Sequence, residues 1–255
     1  MKLGKLPPRV DPRTFQLSKY IKALPPPPDN CGYVDKIHNW QMLGNDVYGD
    51  CVEAAAGHCE MQWTAYSGIP FTPTTQHILD DYSAITGFNQ NDPSTDNGTV
   101  PLDMLKYWRN TGIASRKIAS FMAVDWKNHS EVKQAIELFG NILVGIRLPF
   151  TAQTPVNGDN GLPCWSLQDM QSPNSLPGSW GGHMIPIVGY GIDAKGNKGM
   201  MGVTWGGTID VTWGFGDTYY EEAWVVLSQD WIDSRTGLAP SGFDLDALKS
   251  DIALL

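Results

Sequence analysis

The chain has 255 residues, enough for one two-lobed domain or two small ones, and it holds no apolar run of membrane-spanning length, which argues against a membrane partner. Its net charge of −9 is unevenly placed. Lys2, Lys5, Arg9, Arg13, Lys19 and Lys22 stand against Asp11 in the first 22 residues, a local +5 that leaves −14 for the rest and argues against nucleic acid as the main partner.

Residues 1–32 read as a proline-rich basic arm ending in Pro25-Pro26-Pro27-Pro28, an extended polyproline segment. Phe15, Leu17, Tyr20, Ile21 and Leu24 give it apolar contacts with which to dock. The arm is expected to lie on the acidic body, to engage another protein, or to remain a solvated terminus. The first residues lack the apolar core of a secretory signal, so the chain is expected to be cytoplasmic or virion-associated.

The stretch Asn45 to His58 is the centre of the reading. Gly49-Asp50 leads into Cys51, and Val52, Ala55, Ala56, Cys59, Trp63 and Tyr66 recur at helical spacing. Asp50 is read as the N-cap, and Glu53 sits in the first turn. Cys51 thus opens a helix buried along one side. A helix N-terminus favours the thiolate, the reactive form, although a buried free cysteine is as often a small hydrophobe.

A second helix is expected from Thr74 or Thr75 to Gly87, burying Ile78, Leu79, Tyr82 and Ile85. A third runs from Pro101 to Asn110 on Leu102, Leu105 and Trp108. Residues 88–99 are a polar loop. From Ile113 the period changes: Ile118 to Val124 read as strand, His129 to Gly140 as a short helix, and Ile142 to Leu148 as a buried strand. Residues 149–181 read as a long loop near a cleft. Strands are expected at His183–Gly189, Met200–Trp205, Thr208–Trp213 and Ala223–Leu227, with a helical stripe in Leu245, Leu248 and Ile252. Helices first and strands later is the α+β pattern.

Four cysteines, Cys31, Cys51, Cys59 and Cys164, match no Cys-x-x-Cys metal site, and no metal or other cofactor is expected. They are read as reduced, with Cys59 in the core; Cys31 and Cys164 would be the pair in an oxidising compartment. His38 reads as surface, His58 as a packed histidine, and His77 as exposed or capping.

The only stretch comparable to that around Cys51 is Gly181-Gly182-His183-Met184-Ile185-Pro186-Ile187-Val188-Gly189-Tyr190-Gly191, where a histidine opens a β-branched run. Here the chain resembles the papain-like cysteine peptidases. In that family the histidine follows the cysteine by roughly 130–150 residues, and His183 follows Cys51 by 132. Asn45 stands where the family has the glutamine of its oxyanion hole, and Gly49 where it has a glycine two before its cysteine. Val34-Asp35 is similar to the segment near the start of the mature enzymes. Trp205-Gly206 and Trp213-Gly214 are similar to the Trp-Gly signature after the third catalytic residue.

The resemblance implies a two-lobed fold, with a mainly helical lobe over 33–112, a β-sheet or barrel lobe over 113–255, and the cleft between them. Residues 88–99 would line that cleft. Cys51 would be the nucleophile, His183 its base, and Asn45 a side-chain donor to the oxyanion, one methylene shorter than glutamine. The family's asparagine position falls on Val203 or Val211; of the neighbours Thr204, Asp210 and Asn197, Thr204 is taken as the residue orienting the imidazole, provided the strand shifts by one residue. Otherwise Cys51 and His183 form a dyad shielded by Trp205. Asp50 and Glu53 would oppose the thiolate unless they point to solvent. The arm is shorter than the family's helical pro-segments.

Three functions are consistent with these residues. The first is a peptidase acting on peptide or protein substrates. The second is an inactive papain-like fold used as a structural or binding module, for example in a phage particle. The third is a cell-wall amidase of the wider superfamily, ranked last because that group has a shorter cysteine-to-histidine gap.

Overall fold

The computed structural model describes residues 1–19, 26–158, 161–192, 198–233 and 235–242. Five α-helices are among them: α1 Cys51–Tyr66, α2 Thr75–Thr86, α3 Pro101–Asn110, α4 His129–Phe139 and α5 Trp213–Tyr219. The strands are β1 Cys31–Gly32, β2 Ser120–Ala123, β3 Ile142–Leu148, β4 Val156–Asn157, β5 Pro163–Trp165, β6 Gly181–Ile192, β7 Lys198–Thr204, β8 Gly207–Thr212 and β9 Tyr220–Leu227. They form one sheet in the order β2-β9-β3-β6-β7-β8-β5-β4, with β1 also on β6. Among the described strands, only β5 and β8 pair in parallel.

Alternation along the central strands sorts side chains to two faces. On β6, Ile185 and Ile187 face one core with α4 and α5, while Met184 and Val188 face a second core with α1 and α3. On β9, Ala223, Val225 and Leu227 join the first core, and Trp224 and Val226 the second. A sheet covered on both faces explains why these strands read as near-continuous apolar runs. No helix among the described residues is long and apolar enough to cross a membrane.

The expected α3, α4 and β3 are found with little change, and α2 is capped by the Thr74 hydroxyl and stopped by Gly87 in the left-handed region at φ 78°. Ile85, expected to be buried, is half-buried. Helix α1 departs more. It is buried on every side from Cys51 to Ala65, polar residues included, rather than along one stripe. Asp50 occupies the N-cap position without making a side-chain capping bond.

Two segments were not foreseen. Residues 149–181 hold two 3₁₀ turns, Phe150–Gln153 and Pro173–Ser175, besides β4 and β5. Helix α5 forms despite two glycines, each unfavourable in a helix interior. Thr212 caps it by accepting from the Phe215 amide, and Phe215 and Tyr219, four apart, are both buried. The stripe expected in the tail lies outside the described residues. Cys31, Cys51 and Cys59 are free thiols.

Candidate active site

The basic arm is docked. Leu17 is fully buried in the sheet core, and the Phe15 carbonyl accepts from the Ala123 amide at 2.8 Å. Ahead of it, Met1 to Leu6 runs between α1, the 88–99 loop and β6. Lys2 N–H donates to the Asn45 carbonyl at 3.0 Å, Lys5 N–H to the Gly182 carbonyl at 3.1 Å, and Leu6 N–H to the Thr99 carbonyl at 2.9 Å. Thr99 N–H in turn donates to the Gly4 carbonyl at 2.8 Å. The arm therefore pairs with residue 99 as a parallel bridge on one side and with β6 on the other.

The approach is at backbone contact. A Cβ on Gly98 would lie 2.0 Å from the Gly4 oxygen, and one on Gly182 would lie 2.0 Å from the Lys5 oxygen. The 88–99 loop is held for this role by Asp96, whose carboxylate accepts from the Gly49 amide at 3.0 Å and the Tyr82 hydroxyl at 2.7 Å and also pairs with the Lys2 ammonium. The loop thus holds the arm beside Gly49 and Cys51.

Cys51, the first residue of α1, is 1% exposed. Backbone amides of Met184 on β6 and of Gly4 in the arm stand beside its sulfur and favour the thiolate, but burial dominates and pushes the thiol up to about 12. Glu53 and Asp50 push the same way. Both carboxyls are fully buried, contrary to the solvent-facing orientation that a low thiol pKa would need. Burial raises both above the ordinary carboxylate range, Glu53 to about 8.

His183, the residue before Met184, is 1% exposed and lies on β6 opposite Ile146 of β3. Its Nε2 is 2.8 Å from the Thr204 hydroxyl, while its Nδ1 has no hydrogen-bond partner. Burial lowers the imidazole to about 3, with His58 contributing further in the same direction. Both His183 and the thiol are therefore neutral near pH 7 with the arm in place.

Thr204 ends β7, and Trp205-Gly206 is a two-residue turn into β8 with φ of 45° and 74°. Two successive positive φ values are the condition of the tight hairpin turn that matches strand twist. A non-glycine residue rarely adopts that region, and Trp205 is held there by stacking on His183, with centroids 4.4 Å apart and planes 14° from parallel. Trp180 and Trp165 pack round Trp205 in turn. The turn brings Thr204 to His183 while Val203 stays in the core.

Asn45 is buried, and its Nδ2 lies within hydrogen-bonding distance of the carbonyls of Lys2 and Tyr48, both at 3.1 Å, and of an Asp50 carboxylate oxygen at 3.3 Å. It thus grips a carbonyl oxygen of the arm. His58 is packed as expected, its Nε2 3.0 Å from the Gln41 carbonyl, and Gln41 bridges to Gly206. His38 and His77 are exposed. Asp210 sits on β8 opposite Met201, in the strand beyond Thr204. Asn197 lies outside the described residues.

Sequence reasoning missed Gly4, Glu221 and Glu222. The two glutamates take the Lys5 ammonium at the edge of this cleft, with Nζ–O separations of 2.5 and 2.9 Å. A glycine between Leu3 and Lys5 carries no periodic signal, and two acids opening a strand read as an exposed edge.

Cys51 opens α1, and Met184, the neighbour of His183 on β6, stands beside its sulfur; the fold is papain-like. Xylellain, a cysteine protease from Xylella fastidiosa, is similar over 89% of this chain and 96% of its own, at 15% identity and a TM-score of 0.63. Bromelain from Ananas comosus, in complex with the E64 inhibitor, matches over 79% of this chain and 100% of its own, at 15% identity and a TM-score of 0.55. Digestive procathepsin L 3 of Tenebrio molitor larval midgut matches over 82% and 72%, at 15% identity and a TM-score of 0.56. At such identity the likeness is one of fold. No known family's sequence profile matches the chain, and no curated protein does.

Proposed function

We propose that this chain is a cysteine peptidase of papain type, held latent by its own arm. One observation carries the reading. The amide of Met184 stands at the Cys51 sulfur, and the residue before Met184, His183, keeps Nδ1 unengaged while Thr204 holds Nε2.

With the arm withdrawn and water admitted, the desolvation that keeps both groups neutral relaxes. His183 Nδ1 takes the thiol proton, and the thiolate attacks the carbonyl carbon of a peptide bond. The oxyanion receives hydrogen bonds from the Cys51 amide, an N–H the helix leaves unpaired, and from Asn45 Nδ2. His183 returns its proton to the leaving amine, and water then hydrolyses the thioester. Thr204 fixes the ring's orientation, and Trp205 screens the pair from bulk water.

A second reading, a papain-like structural or binding module of a phage or bacterial assembly, draws support from the neutral pair and the filled cleft. Hydrolysis of an unfolded protein by a Gly4→Val chain separates the two, because a side chain at residue 4 cannot share the cleft with Gly49. The peptidase reading expects hydrolysis that Cys51→Ala abolishes in the same background. A Gly4→Val chain that alkylates readily at Cys51 yet cleaves nothing would leave the module.

A further inference from the structure

The Lys5 side chain is buried to 0% exposure beside the cleft. Its ammonium donates to Glu221 Oε1 at 2.5 Å and to the Leu6 carbonyl at 3.1 Å, and it forms an ion pair with Glu222 Oε1 at 2.9 Å. Glu222 is aimed by its second oxygen, which accepts from Trp224 Nε1 at 2.9 Å. Gly145 forms the wall: a Cβ there would stand 2.2 Å from Lys5 Cε and 2.6 Å from Glu222 Cγ. The cavity thus combines a missing side chain with two carboxylates at its end, a shape and charge suited to a long basic side chain.

Its position gives it a use beyond holding the arm. Lys5 donates to Gly182, and its neighbour Gly4 accepts from Thr99 and places its amide at the Cys51 sulfur. The two rails, Thr99 and Gly182, bind backbone, so they engage any extended peptide irrespective of sequence. In such added-strand binding the main-chain bonds supply affinity, and fixed side-chain pockets supply specificity. A peptide replacing the arm on these rails must present a side chain to the pocket one residue from the nucleophile.

We propose that the pocket formed by Gly145, Glu221 and Glu222 is a specificity site for a lysine or arginine side chain, which the arm's Lys5 occupies in the latent chain. The substrate class is therefore extended polypeptide with a basic residue adjoining the peptide unit at Cys51. An apolar side chain there would leave the Glu222 carboxyl buried and without its cation, the costly half of a broken buried pair. The inference rests on the peptidase reading for the word substrate and on geometry alone for the pocket.

The test uses the Gly4→Val, Cys51→Ser chain, in which the arm cannot seat and no chemistry intervenes. The probes are the peptide Met-Lys-Leu-Gly-Lys-Leu-Pro-Pro and its Lys5→Leu and Lys5→Glu versions, with binding read by calorimetry. The lysine peptide is expected to bind at least about tenfold tighter than the leucine one, and the glutamate peptide not to bind. Glu221→Gln with Glu222→Gln should close the gap. Equal or tighter binding of the leucine peptide overturns the proposal, and that comparison needs no pocket variant to fold. Lysine-selective binding, alongside a Gly4→Val chain with Cys51 intact that cleaves no peptide, supports the pocket and sinks the peptidase reading alone.

Discussion

A Cβ on Gly4 would stand 1.7 Å from the carbonyl oxygen of Gly49, two residues before Cys51. No side chain fits that gap, so glycine at residue 4 is what lets the arm lie over Cys51. With the arm seated, burial holds the thiol near 12, and alkylation by iodoacetamide should be slow near neutrality, rising about tenfold per pH unit as thiolate forms. Gly4→Val should raise the rate at pH 8 at least about tenfold and shift its onset to lower pH. A variant that alkylates as slowly as the parent would show that the thiol's burial does not depend on the arm.

Thr204 meets His183 Nε2 at 2.8 Å, at the end of β7 beside the Trp205-Gly206 turn. Thr204→Val leaves both nitrogens of a buried imidazole without a partner, at a cost of about 1–3 kcal/mol. In the Gly4→Val background, kcat should fall about 10- to 100-fold with KM little changed. Thr204→Ser should recover most of the loss because it keeps the hydroxyl. A purely structural role would lower thermal stability in both variants and leave the pH profile of kcat where it was.

Asn45 should act with opposite signs on two readouts. Its Nδ2 grips the Lys2 carbonyl in the latent chain, so Asn45→Ala should loosen the arm and speed Cys51 alkylation. On the proposed mechanism the same substitution removes an oxyanion donor, so hydrolysis by the Gly4→Val chain should drop about 100- to 1,000-fold. If hydrolysis is unaffected, the amide is a clamp for the arm and not part of the chemistry.

The parts of this fold that read well from sequence are those set by local rules. Helix α3 has a proline opening and an apolar stripe, α2 a threonine cap and a closing glycine, and β3 a β-branched run. The places of Cys51 at the mouth of α1 and of His183 near the start of β6 were legible because each sits at a distinctive junction. What did not read depends on distant chain. The all-round burial of α1 follows from elements on every side of it, which a one-face stripe cannot reveal. Thr204 was read as the neighbour of the imidazole, and its hydroxyl lies 2.8 Å from His183 Nε2; what the sequence did not show is the turn that brings it there, with a tryptophan held at positive φ by stacking on that histidine. The arm's path through the cleft rests on backbone contacts of Gly4, Gly98 and Gly182, residues that look alike in any loop.

Buried acids under α1 predict how stability follows pH. Glu53 is fully buried, and its carboxyl faces the Thr99 hydroxyl without closing a hydrogen bond to it. Burial raises it from an ordinary 4.5 to about 8. Between those values the folded chain holds a proton that the unfolded chain releases, so stability falls as pH rises. Below about 4.5 both states are protonated and the penalty is absent; above about 8 both are ionised and it is complete. Its full size is on the order of 5 kcal/mol for a shift this large. Asp50, raised by burial and by Glu53 beside it, acts in the same direction. Glu53→Gln should therefore stabilise the chain at pH 8 relative to the parent and make little difference at pH 4, read as Tm by calorimetry. Equal Tm changes at both pH values would mean that Glu53 ionises in the folded chain as it does in water.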